Sequence, residues 1–284
     1  MNKVAILGPG LLGGSLALAL KARLPGCRTA LWARREAAVD EARKRGVADL
    51  ASTDLAPVLE DARLVIFCVP VEVMPGLARQ VEPLIPPGAL VTDVGSVKEP
   101  VVEELSAIFR QRGRFIGSHP MAGSEQSGLS AAREDLFEGA VCILTPHPGV
   151  APETEREMAA FWRLVGGTVR TLSPRVHDET IGLASHLPHL LASALVDFVC
   201  AENADSLHYC GNGFRDTTRI ASGPAEMWTG ILAANRKAVS GQLRRFIARL
   251  EALCNTFETG DDRPMHELLH NAKVQRDRLT ASNQ

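Results

Sequence analysis

The chain has 284 residues, 45% of them hydrophobic, which is enough to bury a large core and to suit two domains. Its 31 basic side chains nearly balance 33 acidic ones, which excludes nucleic acid and acidic membrane surfaces as electrostatic partners. No apolar run reaches the roughly 18 residues of a membrane span, so a soluble globular protein is expected.

Met1-Asn2-Lys3-Val4 runs straight into an apolar strand, Val4-Ala5-Ile6-Leu7, so no secretory signal is expected. Gly8-Pro9-Gly10-Leu11-Leu12-Gly13 follows, and Ser15 to Arg23 reads as a helix. This is GxGxxG between strand and helix, the setting that binds a dinucleotide. Gly8 permits a tight turn, Gly10 lets backbone approach a pyrophosphate, and Gly13 lets helix pack on strand. The helix start around Leu11 and Leu12 offers free N–H groups to the phosphates. Pro9 has no N–H, so the donors come from later in the turn.

The second strand is Thr29 to Ala33. An NAD-binding unit usually carries an acid about twenty residues past the glycine loop. Here that place holds Ala33-Arg34-Arg35. Two guanidiniums and no carboxylate favour NADP over NAD. The competing account is a solvated helix start, because Glu36 follows directly.

Leu64 to Val69 is apolar throughout, as a parallel strand covered on both faces should be, and Pro70 stops it. Val69 thereby ends a strand at the cofactor edge. Ala89 to Ser96 is the next strand, with Lys98 beyond it, and Val101 to Gln111 reads as a helix. Strand and helix alternate, so the fold is α/β with a mainly parallel sheet.

Arg114-Phe115-Ile116-Gly117 is another buried strand, and it stops at a His-Pro step. A residue before proline is pushed out of the helical region, so His119 should sit extended at a strand end. Ligands bind beyond the carboxyl ends of parallel strands. An imidazole there can take a proton near neutral pH; otherwise His119 merely caps a loop. Ser96 ends a strand on the same rim. It hydrogen-bonds His119 or a substrate hydroxyl, or else serves as a turn serine or helix cap.

Ala140 to Leu144 and Gly167 to Leu172 add two strands around a helix that starts near Pro152. Ser173-Pro174 breaks the pattern, and no strand is predicted beyond it. The expected division is 1–172, binding the dinucleotide, and 173–284, all helical.

The helical part opens with Asp178 to Cys200, where His186 and His189 stand at i and i+3 on one face. Pro188 between them predicts a kink. No third ligand falls at a zinc-site spacing, so no metal is expected; substrate contact and helix packing remain open. Arg215 and Arg219 lie i,i+4 and suit a dianionic ligand, or form a surface pair with Asp216 and Glu226. Trp228 to Cys254 is read as one long amphipathic helix, with more apolar surface than a small domain needs. It makes a dimer interface or ordinary core. Met265 to Leu279 closes the chain. The six cysteines, Cys27, Cys68, Cys142, Cys200, Cys210 and Cys254, form no CxxC pair. Most lie in apolar runs, which predicts buried free thiols in a reducing cytoplasm.

Five blocks, taken together, resemble the prephenate and arogenate dehydrogenases of tyrosine biosynthesis. They are Gly8 to Ser15, Asp93 to Lys98, Ser118 to Gly123, His186 to His189 and Gly213 to Ala221. The resemblance covers nearly the whole chain, and the blocks around His119 and Arg219 are far more specific than the glycine loop. It implies an N-terminal Rossmann-type domain followed by an all-α dimerisation domain, hence a homodimer. It implies His119 as the base that takes the ring hydroxyl proton while hydride leaves the same carbon and the ring carboxylate departs as CO2. Ser96 matches the serine that bonds that hydroxyl, and Arg219 the arginine that holds substrate carboxylate. By the same resemblance His189 and Arg215 line the pocket, Glu125 gates its entrance, and Trp228 stands near the partner subunit's site. Ala33 departs from NAD-preferring relatives, which carry aspartate there. The resemblance does not choose between prephenate and arogenate; prephenate is favoured. No mutase segment or amino-acid-sensing domain is expected on either side. One rival is a β-hydroxyacid dehydrogenase, which needs a catalytic lysine. Beyond 172 only Lys237 and Lys273 occur, neither in a glycine-rich helix opening. A non-catalytic NAD(P)-binding regulator needs a partner surface or a DNA-binding module, and no such module is visible.

Overall fold

In the computed structural model, which describes residues 2–123 and 126–281, strand and helix alternate from the first residues. The order is β1 (Lys3–Leu7), α1 (Leu11–Arg23), β2 (Arg28–Trp32), α2 (Glu36–Lys44), β3 (Leu50–Ser52), α3 (Leu55–Leu59), β4 (Leu64–Phe67), α4 (Met74–Val81), β5 (Ala89–Asp93), α5 (Glu99–Ile108) and β6 (Gly113–Phe115). The six strands form one parallel sheet, ordered β3-β2-β1-β4-β5-β6. β1, β4 and β5 are buried along their whole length. Side chains alternate across a strand. Val4 and Ile6 therefore pack with Leu16 and Leu20 of α1 on one face. Ala5 and Leu7 pack with Met74 and Leu77 of α4 on the other. Strand order reverses between β1 and β4, so a crevice opens at their carboxyl ends, where the glycine loop lies.

The run expected as one strand around His119 divides. Ile116 N–H donates to the Val91 carbonyl, the last bond to the parallel sheet, and the chain then crosses into a second sheet. That sheet contains β7 (Gly117–Pro120), β8 (Val141–Thr145) and β9 (Thr168–Thr171), in that order, with α6 (Pro152–Leu164) between the last two. β7 runs antiparallel to β8 and pairs His119 with Ile143. His119 thus lies inside an antiparallel strand, not beyond the end of a parallel one. Gly117 makes the crossing possible. A Cβ there would stand 2.4 Å from Thr145 Oγ1 and 2.7 Å from Val102.

Helices follow: α7 (Pro174–Ile181), α8 (Leu187–Asn203), α9 (Asn212–Thr218), α10 (Ala225–Ala234), α11 (Arg236–Thr259) and α12 (Arg263–Ala281). A π turn, Gly182–His186, joins α7 to α8, and Leu187 N–H donates to the Gly182 carbonyl. Pro188 has no N–H to continue the ordinary ladder, so the widened turn is where its missing donor is absorbed. The kink expected from Pro188 takes this form. The long helix expected from Trp228 to Cys254 is instead two, broken at Asn235 (φ −99°, ψ 25°). The chain divides into two compact units, Met1–Arg236 and Lys237–Gln284.

Two composition-based expectations change. The helical run Pro174–Tyr209 is long and apolar enough to cross a membrane by length and composition, with a mean hydropathy of 1.4 in its most apolar window. The run is apolar on average rather than residue by residue, because His186, Ser193 and Asp197 interrupt it. All six cysteines are free, but only Cys27 and Cys142 are buried, while Cys200 and Cys254 are exposed. The helices that carry the exposed pair each leave a side uncovered within the chain.

Candidate active site

The glycine loop closes against the end of β4. Gly8 has φ +117°, and a Cβ there would lie 2.5 Å from the Cys68 carbonyl oxygen and 3.1 Å from Val69 Cγ1. A Cβ at Gly13 would lie 2.0 Å from the Gly8 carbonyl oxygen. Only glycine fits either place. Gly10 is extended and faces open space, and no side chain caps α1. The main-chain N–H groups of Leu11, Leu12 and Gly13 are therefore the first-turn donors left for an anion. An open face with uncapped donors fits a pyrophosphate, and Val69 flanks it. Arg34 and Arg35 stand exposed just past β2, while Ala33 is buried beneath them. The carboxylate of Glu36 is engaged by Arg43 at 3.3 Å and Thr53 at 3.4 Å.

His119 is buried on β7 beside this loop's sheet. Its strand is locked from below. Thr92 Oγ1 and Ser118 Oγ are 2.7 Å apart, and Trp162 Nε1 donates to Ser118 Oγ at 3.1 Å. The fully buried Lys98 ammonium pairs with Asp93 and donates to the Ser118 carbonyl at 2.9 Å. His119 Nδ1 lies 2.8 Å from His177 Nε2, and His177 Nδ1 lies 2.8 Å from Asp178 Oδ1. Burial lowers the His119 pKa well below the ordinary value, and the neighbouring His177, Lys98 and His186 push the same way. Burial also lowers His177, against the opposing hydrogen bond to Asp178. The imidazole of His119 is thus neutral near pH 7, the state a general base needs.

Ser96 lies past β5 and is partly buried. His119 Nδ1 is engaged by His177 rather than by Ser96. The Ser96 main chain is instead beside His186. Asn235 Nδ2 lies 3.0 Å from His186 Nδ1 and donates to the Asp178 carbonyl at 2.9 Å. Burial pushes His186 down to about 4. One turn on, His189 stacks face to face on Trp228, with ring centroids 3.5 Å apart and planes 10° from parallel. Gly223 makes room for the stack, since a Cβ would stand 2.3 Å from the indole nitrogen. His189 Nδ1 is buried without a hydrogen-bond partner among the described residues.

Arg215 is exposed on α9, and Arg219 is exposed in the turn that follows it. Both segments pack on α8, the helix that carries His189. Glu125 lies outside the described residues. No cluster of metal-ligating side chains occurs among the described residues. Sequence reasoning missed His177, Asp178 and Asn235. The one available signal was an adjacent His-Asp pair on a helix that already had its apolar face.

The profile described as "Prephenate dehydrogenase, nucleotide-binding domain" matches residues 16–171. That described as "Prephenate dehydrogenase, dimerization domain" matches residues 173–271. Cyclohexadienyl dehydrogenase of Zymomonas mobilis is 32% identical over 262 residues, 91% of this chain and 89% of that protein. Prephenate dehydrogenase of Bacillus subtilis is 33% identical over 282 residues, 98% of this chain and 76% of that protein. The crystal structure of prephenate dehydrogenase from Aquifex aeolicus, in complex with hydroxyphenyl propionate and NAD+, superposes with a TM-score of 0.93. It is 31% identical and 98% of each chain is covered.

Proposed function

The chain belongs to the prephenate dehydrogenase family, NAD(P)-dependent oxidoreductases of tyrosine biosynthesis, and on that footing we propose how its own residues carry out the oxidative decarboxylation of prephenate to 4-hydroxyphenylpyruvate. The observation that carries the reading is His119, a buried neutral imidazole with one nitrogen already held by His177. Its other nitrogen is the base for the ring hydroxyl. Bound NAD(P) supplies the hydride acceptor. Loss of the ring carboxylate as CO2 makes the ring aromatic and the step irreversible. Ser96 holds the hydroxyl, Arg219 and Arg215 hold carboxylate, and the His189–Trp228 stack forms an apolar wall. Glu125 is assigned to the entrance on resemblance alone.

Gly8, Gly10, Leu11, Leu12, Gly13 and Val69 cradle the dinucleotide. NADP is favoured over NAD, supported by the missing acid at Ala33 and by the exposed guanidiniums of Arg34 and Arg35. The boundary between the two family domains is placed at 172, supported by the matched ranges 16–171 and 173–271; it lies inside the larger compact unit, Met1–Arg236. A homodimer through the helical domain is supported by Leu183, Phe198 and Leu207, all exposed on 174–209. Six free thiols support a reducing cytoplasm.

The test is the near-ultraviolet absorbance of reduced nicotinamide, followed with prephenate or arogenate and with NADP or NAD. Turnover with prephenate and a lower KM for NADP are expected. His119→Asn should lower kcat on the order of 10²–10⁴-fold with little change in KM. Normal turnover in that variant would remove His119 from the mechanism.

A further inference from the structure

The hydrogen bonds behind His119 determine which of its nitrogens carries the proton. The chain of hydrogen bonds ends on Asp178, which accepts throughout. Its Oδ1 accepts the main-chain N–H of Lys98 at 2.7 Å, and its Oδ2 accepts that of Glu99 at 2.8 Å. These are the first N–H groups of α5, whose own N-cap makes no side-chain bond. Asp178 of α7 therefore caps a helix from across the fold, and the helix end favours its negative charge. A carboxylate held in this way is an acceptor toward its next neighbour. His177 Nδ1 must then carry the hydrogen in its 2.8 Å contact with Asp178 Oδ1. A neutral imidazole has one N–H, so His177 Nε2 is bare. It faces His119 Nδ1 at 2.8 Å, so that nitrogen must be the donor. Neutral His119 is left with its lone pair on Nε2.

We propose that Asp178 and His177 are positioning residues that fix His119 in the tautomer with a bare Nε2, the form that can accept the substrate's hydroxyl proton. An unconstrained neutral imidazole favours the opposite tautomer, with hydrogen on Nε2, which cannot act as a base. The proposal rests on His119 as the base. It also gives the proton a place to go. When Nε2 takes the hydroxyl hydrogen, the Nδ1 hydrogen of His119 can pass to His177 Nε2. His177 then carries the positive charge beside the Asp178 carboxylate, and His119 is neutral again. No other packed element offers a competing acceptor to Nδ1 among the described residues. Lys98 is a donor already engaged by Asp93 and the Ser118 carbonyl. His186 Nδ1 faces Asn235, and burial raises the Cys142 thiol out of the titrating range.

The distinguishing variants are His177→Leu, which removes the acceptor, and His177→Gln, whose side-chain carbonyl can replace it at similar reach. His177→Leu should lower kcat on the order of 10²-fold with KM for the dinucleotide unchanged, and His177→Gln should recover most of that loss. Nitrogen-15 spectra of the histidine rings in the full chain read the tautomer directly. Wild type should show His119 protonated at Nδ1, and His177→Leu should move the hydrogen to Nε2. If His177→Leu does not fold, the wild-type spectrum still decides. A wild-type His119 protonated at Nε2, or a folded leucine variant with full kcat, would overturn the proposal. Failure of the base assignment is separate: it would appear as full turnover in His119→Asn, whatever the tautomer.

Discussion

His119 is surrounded by groups that all discourage its charged form. Burial is the largest cause of its lowered pKa, followed by His177, Lys98 and His186. A base works only when unprotonated, so activity is present above that lowered pKa and lost as pH falls through it. The acid limb of kcat/KM should therefore lie below the value near 6.5 typical of histidine. A limb at or above 6.5 would show that His119 is solvated in the working enzyme. His186 gives a matching stability prediction. Its folded pKa of about 4 lies below that of the unfolded chain. The unfolded state then binds the proton better, so stability present above about pH 6.5 declines as pH drops toward 4. The His-Pro step after an apolar run drew attention to His119, but such a step serves equally well as a loop cap, so the step alone did not decide its role. His177 was not legible, since it meets His119 across 58 positions and nothing local marks it. Ser96 was expected to bond His119 or a substrate hydroxyl; His177 occupies Nδ1 of the ring, which leaves Nε2 and the hydroxyl open to that serine.

The glycine loop is one element whose geometry is dictated twice, by the phosphates it must reach and by the strand it must touch. A methyl group at Gly13 would overlap the Gly8 carbonyl oxygen at 2.0 Å and crowd Ile6 and Cys68. Nothing flexible can yield there, because the nearest atom is backbone. Gly13→Ala should cost about 1–3 kcal/mol of stability by chemical denaturation and weaken dinucleotide binding in titration. Gly10→Ala meets nothing within 4 Å, so it should fold normally, and any loss there belongs to the ligand. Elements of this kind are readable because one requirement dominates each. β1, β4 and β5 are covered on both faces, and continuous apolar runs report that. The break at Asn235 is different. Asparagine keeps the amphipathic period intact, so a single helix was expected. At the break its side chain bonds the Asp178 carbonyl and His186, two partners far away in sequence that no local pattern marks. The crossing at Ile116 escaped for the same reason, since one strand and two short collinear strands share a pattern.

On the scale of the whole molecule the unexplained feature is apolar surface. Leu183 is 56% exposed, Phe198 60% and Tyr209 88%, all on the helical run from 174 to 209. In its most apolar window only 22% of that run is buried within the chain. The same run carries His186 and His189, whose rings face inward to Trp228. One side is therefore committed to the site, and the other needs a cover. In the homodimer proposed above a second copy would supply it, and under two-fold symmetry each contact residue would count twice. A buried Phe contributes about 1.5–3 kcal/mol, and two copies of Phe198→Glu should weaken association on the order of 10³-fold or more. Sedimentation at micromolar concentration should show a dimer for wild type and a monomer for the variant. A wild-type monomer, or a variant that stays dimeric, would move the interface elsewhere. Because Phe198 and His189 share α8, loss of the partner should also loosen the His189–Trp228 wall. The monomeric variant is then expected to show a raised KM for the substrate, while the glycine loop, on the far side of the sequence, keeps its dinucleotide affinity.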